Sequence, residues 1–64
     1  MTSNEKQLEA ALKGSLAHLD EAYRLIKKIP LEPIEQNRIY LGEAVGLLIQ
    51  VQMHLYGKFP YLKE

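Results

Sequence analysis

The sequence predicts an all-α fold: an antiparallel two-helix hairpin, with helices over about 3–29 and 33–57, that dimerises into a four-helix bundle. Apolar residues recur every three or four positions along both segments, which is the α-helical period. Pro30 and Pro33 separate the two segments. The second segment is apolar on more sides than one neighbouring helix can cover, so we expect a second copy of the chain beside it. At 64 residues the chain has room for one domain, a helical hairpin over 1–64.

The first predicted helix has one broad apolar face and an outer face without large apolar residues. Thr2 and Glu5 stand three apart, the spacing of a capping box, and are expected to begin the helix. Because Pro30 disfavours helical geometry at the residue before it, the helix should end near Ile29. The core row then contains Leu8, Leu12, Ser15, Leu19, Ala22, Ile26 and Ile29.

The second predicted helix follows a connection of three to four residues, which is short enough to make the helices antiparallel neighbours. In such a hairpin, the residue numbers of two facing residues add up to a constant. A sum of 63 pairs large side chains with small ones. Asn37 then faces Ile26 near the bend, where it is expected to cap loop carbonyls and fix the register. The core row of this helix contains Ile34, Asn37, Leu41, Ala44, Leu48, Val51 and Leu55.

A second apolar row on this helix, which we call the glycine row, is the predicted dimer interface. Each glycine inside a helix costs about 1 kcal/mol relative to alanine, and two glycines four apart allow helices to approach closely. Paired with an antiparallel copy of itself, the row again sets large residues against small ones. The alternatives are that the glycines make room within one hairpin, or that the stretch is a membrane span interrupted by polar residues. The glycine row consists of Ile39, Gly42, Gly46, Ile49, Met53 and Tyr56.

The tail, residues 57–64, is predicted to be non-helical and apolar. Gly57 suits the end of a helix and Pro60 prevents its continuation. Phe59, Tyr61 and Leu62 are expected to fold back over the end of the bundle, with docking to another protein as the alternative.

Composition excludes several kinds of chemistry. The chain has no cysteine, so it has no disulfide or thiolate metal site. Eight basic and eight acidic residues leave no basic excess for nucleic-acid binding. Neither a catalytic constellation nor a cofactor motif is present, and we expect no enzyme and no cofactor. A metal site built by His18, His54 and Glu43 across the dimer stays open as an alternative.

These observations predict a small, non-enzymatic interaction or regulatory protein that acts as a homodimer. Its expected partners are a second copy of itself and another protein, without nucleic acid or membrane. One alternative is a nucleic-acid-binding regulator, because the size and hairpin plan are similar to those of small RNA-binding plasmid copy-number repressors. Another is a metal- or ligand-binding bundle. The lack of a secretory signal favours the cytoplasm.

Overall fold

The computed structural model describes residues 3–63 and is all-helical, as predicted. Helix α1 spans Asn4–Ile26, helix α2 spans Ile34–Lys58, and a short 3-10 helix spans Pro60–Lys63. The two α-helices pack together as a hairpin whose principal extents are 44 × 20 × 17 Å. The predicted hairpin is therefore confirmed.

Helix α1 begins and ends at different residues from those predicted. Ser3 is the N-cap, and its side chain accepts a hydrogen bond from the backbone N–H of Lys6 at 3.4 Å. Thr2, the predicted cap, lies outside the described residues. The helix ends at Ile26 rather than near residue 29, because the N–H of Lys28 turns back to the carbonyl of Leu25 at 2.9 Å and closes a tighter turn.

The connection is held by Asn37, as predicted. Its side-chain amide donates to the carbonyl of Leu31 at 3.2 Å and so satisfies a loop acceptor. Pro33 is the N-cap of α2 and has extended geometry. The carbonyl of Pro33 accepts from the backbone N–H of Asn37 at 3.0 Å, which starts the helical hydrogen-bond ladder. Asn37 therefore ties the bend to the first turn of α2.

The core of the hairpin is narrow. Among the described residues, Leu12 (6% exposed) and Leu55 (7% exposed) are the buried ones. The predicted pairing of Leu12 with Val51 is wrong, since Val51 is 45% exposed and Gln52 is half-buried in its place. A straight helix repeats every 3.6 residues, so a strict seven-residue row drifts off the contact. The α1-facing row of α2 therefore steps from Leu48 to Gln52.

Helix α2 ends one residue later than predicted, and the tail is not entirely non-helical. Gly57 is helical, and no described glycine has a positive φ, so Gly57 is not a left-handed cap. Phe59 is the C-cap, and its N–H donates to the carbonyl of Leu55 at 2.9 Å. Because Pro60 cannot continue the helix, the chain changes direction there and forms the 3-10 helix.

Much of the apolar surface of α2 is left uncovered by α1. Tyr40, Leu47 and Met53 are each more than half exposed. The helix nevertheless retains enough polar residues that, across residues 3–63, no helix is sufficiently long and apolar to cross a membrane. Its uncovered apolar side chains therefore define the candidate surface for association.

Truncation of the core should cost far more stability than truncation of an exposed leucine. We expect Leu12→Ala to lower the free energy of unfolding by about 2–4 kcal/mol, because it leaves a cavity against α2. Leu31→Ala, at a leucine 50% exposed in the connection, is the matched control and should change it by under about 0.5 kcal/mol. Urea unfolding followed by circular dichroism measures both, and equal losses would contradict this core assignment.

Candidate interaction surface

The glycine row lies mostly on the surface of the hairpin. Ile39, Ile49 and Met53 are 50%, 41% and 60% exposed. A methyl group built on Gly42 or Gly46 would meet no neighbouring atom of the described chain within 4 Å. Packing within one hairpin therefore does not account for these two glycines, and the space above them is free for another molecule.

A shallow depression lies beside the row where α1 and α2 meet. Its volume is about 230 Å³, and it is lined by Asp20 and Tyr23 of α1 and by Gly42 and Val45 of α2. Gly42 contributes no side chain to fill it. The depression therefore adjoins the glycine row directly and offers space for a side chain from a neighbouring molecule.

Tyr56 departs from the rest of the glycine row. It is half-buried, and its hydroxyl donates to the Glu9 carboxylate at 2.8 Å across the two helices. This hydrogen bond, with burial, raises the pKa of Tyr56 above its usual value. The Glu9 carboxylate also lies 3.6 Å from the Lys13 ammonium, one turn along α1. Tyr56 is thus an intramolecular tie between the helices.

The tail makes a second tie at the open end of the hairpin. The Tyr61 hydroxyl donates to the Glu5 carboxylate at 2.5 Å. The Lys6 ammonium lies 5.9 Å from the centre of the Tyr61 ring, within reach of a cation–π contact. Phe59 meets Tyr61 edge-to-face at 6.4 Å, and both Phe59 and Leu62 are half-buried. The tail therefore folds back over the end of the hairpin.

The Glu5–Tyr61 pair is suited to anchoring. The hydrogen bond from Tyr61 lowers the pKa of Glu5, and the same bond raises the pKa of Tyr61. A general acid or base works best with a pKa near the working pH, whereas both of these groups move away from neutrality. The Glu5–Tyr61 pair thus keeps a charged carboxylate and a neutral phenol over a wide pH range.

The residues considered for a metal site do not converge within one chain. His18, Glu43 and His54 are all exposed. Within the described residues 3–63, no group of three or more His, Asp or Glu side chains is placed to hold a metal ion. A site shared between two copies stays a prediction from the sequence.

A further apolar row on α2 was missed by the sequence reasoning. Tyr40, Leu47 and Val51 are 56%, 68% and 45% exposed, and Ala44 lies between them. The spacing of 4, 3 and 4 was present in the sequence as a signal. Assigning Val51 and Ala44 to the hairpin core concealed it. By the helical period this row lies on the other side of the α1 contact from the glycine row.

Removing the Tyr61 hydroxyl should release Glu5. In Tyr61→Phe we expect the pKa of Glu5 to rise towards its ordinary value, because its strongest stabilising hydrogen bond is lost. Carboxyl chemical shifts followed by NMR titration report this pKa. Tyr40→Phe, at an exposed phenol near the bend, is the matched control and should leave Glu5 unchanged. An unchanged Glu5 in Tyr61→Phe would contradict the contact.

The same pair predicts how tail docking depends on pH. The folded pKa of Glu5 is lowered, so its contribution is present above an unfolded pKa of about 4.3 and is lost as pH falls through the folded value. The folded pKa of Tyr61 is raised, so its contribution is present below about 10 and is lost as pH rises through the folded value. Amide hydrogen exchange of residues 59–63 should accordingly show most protection between these limits, after correction for intrinsic exchange. Protection that stays constant across this pH range after the correction would contradict the prediction.

Comparison with known proteins identified no relative. No protein-family model matches the chain, and neither a curated protein nor a solved structure matches it. The residues and contacts of the chain itself therefore carry the functional proposal.

Proposed function

We propose that this chain is a small, non-enzymatic protein-interaction or regulatory module that acts as a homodimer, with α2 at the centre of a four-helix bundle. The observation that carries the proposal is the open glycine row. Ile39, Ile49 and Met53 are exposed, and the two glycines between them have free space above their backbone. In a monomer this apolar row stays exposed to water, whereas in a dimer it is buried.

An antiparallel pairing of α2 with its copy supports this interface. Gly42 then meets Met53 of the second copy, and Gly46 meets Ile49 of the second copy. Large side chains face glycines on both sides of a two-fold axis, which is the commonest symmetry of homo-oligomers. The depression floored by Gly42 lies where the flexible Met53 side chain of the second copy arrives. Size and shape are thus complementary along the row.

The tail is the proposed contact with another protein. The antiparallel pairing puts the two open ends, and hence the two tails, at opposite ends of the bundle. The apolar group there consists of Phe59, Tyr61 and Leu62; Phe59 meets Tyr61 edge-to-face, and the Tyr61 hydroxyl donates to Glu5 of α1. A dimer would present this group twice, which allows bivalent binding of a partner.

The Gly46→Leu substitution should break the proposed interface. A leucine there fills the space that Ile49 of the second copy needs. We therefore expect the dissociation constant of the dimer to rise at least about tenfold. Sedimentation velocity over a range of concentrations measures the change. Gly14→Leu is the matched control, since Gly14 is also helical, exposed and without neighbours, but lies on the outer face of α1.

Both variants should keep their helicity, because leucine is a better helix former than glycine. If Gly46→Leu associates as tightly as Gly14→Leu and the wild type, the glycine row is not the interface.

A further inference from the structure

The flank of α1 beside the glycine row carries charges of both signs. The Glu9 carboxylate accepts from the Tyr56 hydroxyl on this side of the hairpin, and Asp20 lines the depression. Lys13 and Arg24 each follow one of these two carboxylates by four residues, so the helical period places them on the same flank. We call this set the charged stripe; it consists of Glu9, Lys13, Asp20 and Arg24.

Contacts within one hairpin leave much of the charged stripe unpaired. Glu9 and Lys13 lie 3.6 Å apart, but the Lys13 side chain is 63% exposed. Asp20 and Arg24 are both exposed, and within residues 3–63 neither of them forms an ion pair. These charges are therefore accessible to another molecule.

We propose that the charged stripe faces the charged stripe of a second copy and thereby sets the antiparallel orientation of the dimer. This inference rests on the proposed function, because the pairing of two glycine rows brings the two α1 helices together. The two-fold axis of that pairing runs across α2, and rotation about it leaves both α1 helices on the same side of the α2 pair. The charged flank of each α1 then points towards the other.

The distance between the two stripes suits long charged side chains. On α2, the glycine row lies about 110° around the helix from the row that contacts α1. With packed helix axes about 8–10 Å apart, the two α1 axes are then about 14–17 Å apart. That spacing is too wide for apolar packing between the α1 helices, whereas two facing charged side chains can bridge it.

The register of the two stripes follows from contacts on this side of the hairpin. Glu9 bonds to Tyr56, and these residue numbers add up to 65. Asp20 and Val45, which line the depression together, give the same sum. Facing residues of the two glycine rows add up to 95. Facing residues of the two α1 helices therefore add up to 35, which is twice 65 minus 95.

Opposite charges come together in this register. Lys13 and Asp20 of the second copy add up to 33, and so do Glu9 and Arg24 of the second copy. A difference of two from the exact level is an offset of about 3 Å along the helix, which lysine and arginine side chains can cover. The two-fold axis repeats both pairs, so the dimer contains four contacts between opposite charges.

The charge pattern identifies an antiparallel copy as the occupant. A parallel arrangement sets each residue against its own equivalent, so that Glu9 meets Glu9 and Lys13 meets Lys13. Like charges oppose such an association, whereas the antiparallel arrangement pairs each sign with the other. Charge complementarity acts mainly on orientation and choice of partner, and less on affinity.

Two further cations on this flank are held by rings of their own chain. The Lys6 ammonium lies 5.9 Å from the centre of the Tyr61 ring, and the Lys27 ammonium lies 4.5 Å from the centre of the Tyr23 ring. Lys6 and Lys27 of the second copy approach each other at the ends of the stripe. The cation–π contacts keep both ammonium groups on their own chain. These like charges therefore do not cancel the four opposite pairs.

The test is the dissociation constant of the dimer, measured for the full chain by sedimentation velocity at about 0.05 M and about 0.5 M NaCl, because salt screens exposed charges. In the wild type the constant should rise with salt. Asp20→Lys sets lysine against lysine at two symmetric contacts. We expect its constant at low salt to be at least about tenfold higher, and to fall as salt is raised.

Glu21→Lys is the matched control, since it makes the same change of charge on the outer face of α1. Its dissociation constant should stay within about threefold of the wild type at both salt concentrations. Circular dichroism confirms that each variant keeps its helicity.

A charge swap tests the pairing itself. Adding Lys13→Asp to Asp20→Lys restores opposite charges across the two-fold axis, so the dissociation constant should return to within about threefold of the wild type. Adding Lys28→Asp to Asp20→Lys restores the net charge but not the pair, and the constant should stay raised.

The outcomes separate this inference from the proposed function. If Asp20→Lys and Glu21→Lys associate equally at both salt concentrations, the charged stripe does not face its copy and the inference is overturned, whereas loss of the dimer in Gly46→Leu still supports the glycine row. If Asp20→Lys weakens association and Gly46→Leu does not, the stripe meets a second copy and the glycine row is not the interface. A wild-type monomer overturns both.

Discussion

Two helices of 23 and 25 residues cannot enclose the apolar side chains that this chain carries. One helix pair has a single line of contact, and here that line buries Leu12 and Leu55 among the described residues. Side chains on either side of the line, such as Leu47 and Met53, are left more than half exposed. Burial of apolar area contributes about 25 cal/mol per Å², so burying this exposed surface is the main way in which the molecule can gain further stability. Every other feature of the hairpin can be understood in relation to that constraint.

The ends of the hairpin are held by polar contacts instead of a large core. At the bend, the Asn37 amide satisfies the Leu31 carbonyl and ties the connection to α2. At the open end, the hydroxyls of Tyr56 and Tyr61 donate to carboxylates of α1. These contacts fix which faces of the two helices remain open. They therefore decide where another molecule can bind.

The hairpin and its bend could be predicted from the sequence. The helical period, the positions of the prolines and the pairing of large with small side chains were sufficient. The role of Asn37 followed from its position as a polar residue at a core position near the bend. Where the expectations failed, the reason was local geometry. A seven-residue row assigned Val51 to the core, whereas the 3.6-residue period of a straight helix brings Gln52 there.

Only part of the candidate interaction surface could be predicted from the sequence. Exposure of Ile39, Ile49 and Met53 agrees with their assignment to an outward row. Tyr56 sits at the border of that row, where the pattern cannot decide between a neighbour in the same chain and one outside it. Its bond to Glu9 depends on a long side chain crossing between helices, which no spacing rule captures. The row with Tyr40 and Leu47 was hidden because two of its positions fit the core row as well.

The central claim is that this hairpin is stabilised by association with copies of itself. Its most direct test is the thermal unfolding midpoint of the full chain, measured by circular dichroism over about a hundredfold range of protein concentration. Because association stabilises only the folded chain, the account predicts a midpoint that rises steadily with concentration. A midpoint that stays constant over that range, with a monomer mass throughout, would contradict it.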